Sequence, residues 1–446
     1  MSGRIDFTMD FNKSGAAQSR QQVQAYRFYI LGGFSGAGDT PWEQRKIRAI
    51  DNDSFDRVMA EMAPVLRLDT HLQLRFESVE DFHPDTWLDK VKLIADLRVL
   101  KQQLSNPVTA AQAAAKIQAF FPSAQAAVEP EAVTESQDEL LERLLGKKPE
   151  KTYDEPDTVE RLLKQMVTPF VTKNTEPQYR HWLDVIDAAI GQILCAVLHN
   201  PDFQSLEALW RATQILLNEE LADGHDFYLL DISRAELMAE QKSGGPTLAQ
   251  KIVQHVQKGD GEREVVLIGH FRCSESGEDR ELLSYCGRLA QQCGGRFLGD
   301  ADQGFIQRTL SAEAEGRSNF NAQRLLLAYP RYLLRLPYGQ KRDPIDVLEF
   351  EECSAIPRTE ELLWGCASML LARGLIRASQ EYSAEALFFS DIPAFSYEEE
   401  GEPVLQPGTE VVLTEAQANE LFTLGIMPLI GYRQRRGVRL WGIAGF

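Results

Sequence analysis

Long apolar runs, paired cysteines and an excess of positive charge are all missing from this sequence of 446 residues. No window approaches about 18 consecutive apolar residues, so a membrane-spanning helix is not expected. Residues 1–15 are polar and contain no apolar signal core, which argues against export and favours a cytoplasmic location. The formal net charge is −19, so nucleic acid would experience net repulsion and is not expected as a partner.

Cysteine is sparse and irregularly spaced. The six cysteines include no pair at the two-residue spacing of zinc sites, and this usage fits a reducing compartment better than a disulfide scaffold. His270, Cys273, Cys286 and Cys293 lie near one another in the sequence, but their spacing matches no standard zinc pattern. The sequence therefore predicts neither a metal site nor a bound cofactor.

The chain does contain the alternation of elements that is typical of a mixed α/β fold. Apolar or β-branched runs predict strands at residues 26–31, 227–232 and 265–271, and helical patterns follow at 247–257 and 278–292. Buried strands that alternate with helices favour mixed, partly parallel sheets with flanking helices. The length of the chain indicates two or three domains.

A change of composition divides the chain into parts. Residues 122–160 contain 11 acidic and 4 basic residues together with four prolines, which is typical of a linker. We therefore predict a flexible arm at residues 1–24, a first module at 25–121, the acidic linker, and a second module at 161–446.

A short amphipathic helix is predicted inside this linker, at residues 136–146. Ser136 to Glu139 form a capping box, and Gly146 is a stop signal. The apolar side chains of this helix are Leu140, Leu141, Leu144 and Leu145. Such a helix is either a docking peptide for a partner or a helix packed on its neighbour, and the sequence leaves both open.

The second module contains an unusual stretch at residues 325–352. Its prolines at 330, 337 and 344 disfavour a helix, so we predict a short buried strand, a rigid turn and a second extended piece. Charged residues surround this backbone, and they are candidates for contacts between modules or subunits; a surface face of salt bridges is the alternative. The candidates are Arg331, Arg335, Lys341, Arg342, Glu349, Glu351 and Glu352.

Three motifs in the first module come close to a catalytic or metal-binding pattern without completing it. The glycine-rich stretch at residues 32–40 has Asp39 where a phosphate-binding loop needs lysine, and Ala37 where a nucleophile elbow needs glycine. The aspartates at 51, 53 and 56 lack the glycine and closing glutamate of a calcium loop. An α/β enzyme with a small-ligand site at strand ends, around His270 or Ser35, is kept as the alternative function.

The first module resembles the small sheath subunit of bacterial type VI secretion systems, over about residues 20–121. The shared pattern is a strand that ends in LGGFSG at residues 31–36, followed by a helix start at 45–59. A turn at Phe76 to Pro84 then precedes a long helix.

The second module resembles the large sheath subunit of the same systems. HNPDFQSLEALWR at residues 199–211 agrees with the family pattern almost residue for residue. The arginine-flanked LLRLPYG segment at 333–339 belongs to the same pattern. His270 stands where the family has aspartate, so no role of that aspartate is carried over.

The resemblance implies a natural fusion of the two sheath subunits and a structural, non-catalytic role through protein–protein assembly. The chain would be either the main sheath subunit or, as we prefer here, a specialised, accessory or capping subunit, because the large subunits of the family continue beyond the point that corresponds to Phe446. Implied partners are other sheath subunits, inner tube and baseplate proteins, in an oligomer in the bacterial cytoplasm without membrane insertion. The leucine-rich linker helix is similar to the segment by which an AAA+ unfoldase binds sheath. The sequence leaves open whether the modules pair within one chain or between chains.

Overall fold

The structure is a computed structural model that describes residues 25–445, except 39, 69–71, 107, 121–178, 221, 244–246, 260–262, 312–323 and 347. The predicted arm, the acidic linker and its leucine-rich helix lie outside the described residues. The strands in chain order are β1 Tyr26–Gly32, β2 Arg48–Ile50, β3 Val65–Arg67, β4 Gln73–Arg75, β5 Asp226–Asp231, β6 Glu264–Cys273, β7 Arg296–Ala301, β8 Leu325–Tyr329, β9 Tyr332–Leu333, β10 Trp364–Gly365, β11 Phe388–Phe389, β12 Phe395–Glu399, β13 Glu402–Gln406, β14 Ile426–Gly431 and β15 Val438–Leu440.

Helices connect these strands. The α-helices in chain order are α1 Phe55–Met62, α2 Pro84–Trp87, α3 Lys92–Ser105, α4 Ala110–Phe120, α5 Tyr179–Leu198, α6 Pro201–Leu217, α7 Arg234–Ser243, α8 Thr247–Gln257, α9 Gly277–Gln292, α10 Gln303–Ser311, α11 Ala367–Ala378 and α12 Glu415–Thr423. The helix predicted at 247–257 has the predicted bounds, and the strands predicted at 26–31, 227–232 and 265–271 are confirmed within two residues.

One nine-stranded sheet organises the molecule, in the order β11-β15-β14-β8-β7-β6-β1-β5-β2. Six adjacent strands run parallel to one another, namely β14, β8, β7, β6, β1 and β5. The outer strands β2, β15 and β11 are antiparallel. The predicted mixed α/β fold is therefore confirmed.

Strand β1 lies inside this sheet and pairs on both sides. Its Tyr29 is opposite Tyr228 of β5 and Leu267 of β6. All seven residues of β1 are buried, as expected for a parallel strand that is covered on both faces. The N-terminal region of the chain thus supplies a central strand to a sheet that is otherwise built mainly by the C-terminal region.

The two faces of the sheet support two apolar cores. Phe28 and Ile30 point into a core that also contains side chains of α3, α5, α6 and α11. Tyr29 and Leu31 point to the opposite face, which α7, α8, α9 and α12 cover. Helix α6 begins at Pro201, because the Asn200 side chain accepts hydrogen bonds from the amides of Asp202 and Phe203 and proline is favoured at the first helical position.

The stretch at residues 325–352 begins as predicted and then becomes irregular. Strand β8 is buried in the sheet, and β9 pairs with β10 in a separate two-stranded ladder. After β9 the described backbone of this stretch makes isolated bridges, from Gly339 to Asp343 and to Glu351. The second extended piece is therefore held by single bridges and side chains.

Among the described residues, no single helix is long and apolar enough to span a membrane. One helix pair, Trp182–Leu198 and Pro201–Leu217, meets the length and composition requirement when taken together, with a bend of 64°. The apolar side chains of both helices contribute to the core on one face of the sheet.

Candidate functional site

The candidate site is the junction between the N-terminal region, residues 25–120, and the C-terminal region, residues 179–445. Its apolar centre is Trp210 of α6, which is fully buried. The indole Nε1 of Trp210 donates a hydrogen bond to the Phe34 carbonyl oxygen at 3.1 Å. The rings of Phe34 and Phe55 meet Trp210 edge-on, with ring centroids 5.1 and 5.8 Å away. One aromatic side chain of α6 thus secures both the loop after β1 and helix α1.

A polar layer surrounds this centre. The backbone amide of Ser35 donates to Asp231 Oδ1 at 3.1 Å, at the end of β5. The Arg45 guanidinium lies 3.6 Å from Asp231 and 2.8 Å from Glu236, and all of these contacts join the two regions. Since Arg45 is nearly buried, its pairing with two carboxylates compensates for lost hydration.

Lys251 of α8 adds a second cationic connection. Its ammonium donates to the backbone carbonyls of Trp42 at 3.2 Å, Glu43 at 3.0 Å, and Arg45. Burial lowers the pKa of Lys251 from its ordinary value. Three carbonyl acceptors from one short segment hold that segment against the C-terminal region.

The predicted charged residues Arg335 and Glu352 are brought together, but inside the molecule. Arg335 Nη1 and Nη2 donate to the two carboxylate oxygens of Glu352 at 2.7 and 2.9 Å, and Nε donates to Glu207 of α6 at 2.9 Å. Burial would raise the pKa of the Glu207 carboxyl, but Arg335 and Arg211 outweigh burial and hold this pKa below its ordinary value. This cluster attaches the 325–352 stretch to α6 within the C-terminal region.

The other predicted residues are distributed over several surroundings. Arg331 forms a two-pronged ion pair with Glu410, at 2.8 and 2.7 Å. Arg342 lies over the Phe395 ring at 4.5 Å, and Glu351 accepts from the Gln340 amide at 3.1 Å. Lys341 and Glu349 are exposed. The structure therefore joins Arg335 to Glu352 and does not gather the remaining five into one site.

Neighbours of the predicted residues make the contacts from this stretch to the N-terminal region. The Tyr338 ring meets the His83 ring edge-on at 4.9 Å, and His83 Nε2 is 3.7 Å from Asp343 Oδ1. The Asp346 amide donates to Asp85 Oδ2 at 3.2 Å. These contacts are made by Tyr338, Asp343 and Asp346, which are not among the seven charged candidates.

Local sequence patterns do not indicate the partners of the residues that hold the junction and the 325–352 stretch in place. Trp210 and Glu207 belong to the HNPDFQSLEALWR motif, and Arg45 begins the segment at 45–59, but neither pattern indicates a partner for them. Their partners are about 130 to 190 residues away in sequence, as for Trp210 with Phe34 and Arg335 with Glu207. Spacing within a motif carries no signal for such pairs.

A cleft of about 680 Å³ lies at the carboxyl ends of β1 and β6, near the two residues of the enzyme alternative. His270 lines this cleft, together with Gly33 and Gly36 of the loop that contains Ser35. Within the described part of the chain, Ser35 Oγ and His270 Nε2 have no hydrogen-bond partner, so they do not form a nucleophile–base pair with each other. Burial lowers the pKa of His270 to about 4, which leaves the ring neutral near pH 7.

The cysteines are free thiols in buried or half-buried surroundings. All six cysteines are free, and burial raises the pKa of the Cys286 thiol and of the Cys293 thiol, the latter to about 12. No group of three His, Cys, Asp or Glu side chains in the described ranges is arranged to hold a metal ion. The chemistry of the junction is that of packing and ion pairing, which is typical of a structural scaffold.

Comparisons with known families identify the class of scaffold. The model for VipB, described as EvpB/VC_A0108, tail sheath N-terminal domain, matches residues 180–323 and 315–442. The model for T6SS_VipA, described as Type VI secretion system, VipA, VC_A0107 or Hcp2, matches residues 2–121. The chain belongs to the type VI secretion sheath family, and it fuses a small-subunit (VipA or TssB) part to a large-subunit (VipB or TssC) part.

A curated relative agrees with this assignment. The type VI secretion system sheath protein TssC1 of Pseudomonas aeruginosa strain PAO1 is 23% identical over 340 residues, which cover 67% of this chain and 68% of TssC1. The chain is a structural sheath component that assembles with other sheath subunits, and neither the family nor this relative supports the enzyme alternative.

Proposed function

We propose that this chain is a sheath building unit whose small-subunit module, residues 25–121, and large-subunit module, residues 161–446, fold onto each other within one chain. The position of β1 between β5 and β6 carries this proposal. A covalent connection replaces a bimolecular encounter by an effective concentration on the order of millimolar. Every unit would therefore contain both modules in equal amounts.

The proposed partners follow from this role. We expect the unit to assemble around an inner tube, to contact baseplate proteins, and to act in the bacterial cytoplasm without catalysing a reaction. The leucines at 140, 141, 144 and 145 stay predicted as the docking surface for an AAA+ unfoldase. Replacing all four by alanine in the full chain should abolish binding of the unfoldase and leave sheath assembly unchanged.

Negative-stain electron microscopy tests the proposal. The purified full chain is imaged alone and after mixing with an inner-tube protein of a type VI secretion system. Striated tubes would support the building-unit role, whereas small rings or monomers bound to the end of a separate sheath would assign the chain to capping or assembly. A chain that forms no assembly and binds no secretion component would overturn the structural role.

A further inference from the structure

An exposed hairpin, formed by β12 and β13, projects from the C-terminal region. The two strands pair with each other in a ladder of their own. Phe395 anchors the base of the hairpin in a small apolar cluster. The end of the hairpin carries four exposed glutamates within five residues: Glu398, Glu399, Glu400 and Glu402.

The geometry of this hairpin end is locally unfavourable. Glu399 and Glu402 are directly opposite each other across the two strands, and like charges in that position destabilise a hairpin. Glu400 has φ of +52°, a conformation that glycine, asparagine or aspartate usually occupies in such turns. Glutamate at these positions is thus disfavoured both by charge repulsion and by backbone conformation. Residues that are locally unfavourable are expected chiefly at functional sites, so we interpret the negative charge of this hairpin end as functional.

A basic loop with the complementary charge lies between β14 and β15. Arg433, Arg435 and Arg436 are exposed there. The Arg435 guanidinium stacks on the ring of Tyr432 at 3.9 Å and lies 4.9 Å from the ring of Phe388. Stacking on two rings holds this guanidinium in place and leaves its edge available for a carboxylate.

Neither surface is paired with another charged side chain of the described residues. Among the described residues, no side-chain hydrogen bond or ion pair engages the four glutamates or the three arginines. Both surfaces are therefore available to a partner of opposite charge. A guanidinium and a carboxylate match each other in charge and in planar hydrogen-bonding geometry.

We infer that the acidic hairpin of one copy of this chain binds the arginine loop of the next copy. The contact joins two different surfaces, so it is a head-to-tail interface, which forms a ring if the rotation between copies closes and a helical polymer if it does not. This inference rests on the proposed sheath function and adds the pair of surfaces that connects neighbouring units. Since the groups are exposed, the contact is expected to weaken as salt increases.

Charge reversal tests the inference in the full chain. One variant carries Glu399→Lys, Glu400→Lys and Glu402→Lys, and the other carries Arg433→Glu, Arg435→Glu and Arg436→Glu. Each variant alone should self-associate roughly tenfold more weakly than wild type in sedimentation velocity, because like charges would face each other. An equal mixture of the two variants, and a chain that carries all six changes, should regain association, because opposite charges meet again.

A matched control reverses three exposed glutamates elsewhere, Glu281→Lys, Glu385→Lys and Glu420→Lys, and should associate like wild type. Circular dichroism checks that every variant is folded. If both triple variants associate like wild type, or if the mixture fails to recover, the hairpin–loop contact is wrong. A wild-type chain that binds other sheath proteins but never itself would also overturn this contact, and would leave the proposed function standing.

Discussion

Arg335 shows how one side chain can fix the position of an irregular segment. It is shared by Glu207 and Glu352, and the carboxylate of Glu352 also accepts the Tyr338 amide at 2.7 Å. The side chains of Arg335, Glu207 and Glu352 are 9%, 0% and 1% exposed. Removing the cation would leave two buried carboxylates with too few partners, which is the costly way to break a buried ion pair.

The substitution Arg335→Met should destabilise the protein by about 3–5 kcal/mol for this reason. Arg342→Met is the control, because Arg342 makes a cation–π contact with Phe395 and should cost less than about 1 kcal/mol. Urea unfolding followed by tryptophan fluorescence measures both. Equal shifts of the two urea midpoints would show that the buried ion pairs of Arg335 stabilise the protein no more than the cation–π contact of Arg342.

Asp300 gives a prediction about pH. Burial raises its pKa to about 7, although the amide of Ser368 donates to it at 3.2 Å. Because the folded-state pKa is above the ordinary value of 3.8, the stabilisation from protonated Asp300 is complete below about pH 4 and is lost as pH rises through about 7. The stability difference between wild type and Asp300→Asn, measured from pH 4 to 8, should therefore shift against wild type as pH rises. A difference that stays constant over this range would refute this assignment.

At the scale of elements, the loop that follows β1 depends on one glycine. Gly36 has φ of +62°, and a Cβ added there would lie 2.3 Å from the Val65 carbonyl oxygen. That carbonyl accepts the Ala37 amide at 2.8 Å, so the loop and β3 are in direct backbone contact. The close approach gives a structural reason for glycine at position 36. The glycine-rich stretch at residues 32–40 therefore needs no catalytic explanation.

The substitution Gly36→Ala should destabilise the protein by about 2–4 kcal/mol, through backbone strain and the clash with Val65. Gly294→Ala is a matched control, because Gly294 has φ of +72° and no atom within 4 Å of an added Cβ. It should cost only the conformational penalty, about 1 kcal/mol. Thermal unfolding of both variants separates these terms, and similar losses would mean that the clash is relieved at no cost.

The elements themselves could be predicted from the sequence, and their assembly could not. Helix α8 and strand β1 can be predicted from the local pattern of apolar residues, because the spacing of buried positions differs between a helix and a strand. The insertion of β1 between β5 and β6 depends on pairs such as Leu31 with Leu230, which are separated by a linker and several helices. The sequence indicates Arg335 as a candidate contact residue, but no local pattern indicates that its partner is Glu207 of α6.

At the scale of the whole molecule, the two sheath modules share one sheet. Without β1, strands β5 and β6 would each lose a neighbour, and both cores would lose buried aromatic side chains such as Phe28 and Tyr29. Each unpaired strand edge is a site for unwanted pairing. The modules are therefore expected to depend on each other for stability.

A protease site inserted into the acidic linker tests this dependence. After cleavage in buffer, the two fragments should elute together from a sizing column, because the pairing of β1 on both sides persists without the linker. They should separate only in urea, which serves as the positive control. Fragments that separate in buffer would show that the linker, and not the shared sheet, keeps the modules together.

The central place of β1 also has a consequence for synthesis on the ribosome. Strand β6 ends about 240 residues after β1, so translation at about 5–20 residues per second separates them by roughly 10–50 s. Until β5 has been made, the apolar strand β1 has two unpaired edges in the growing polypeptide, and one edge stays unpaired until β6 follows. The arrival of β6, long after β1 has been made, is then the event that completes the middle of the sheet.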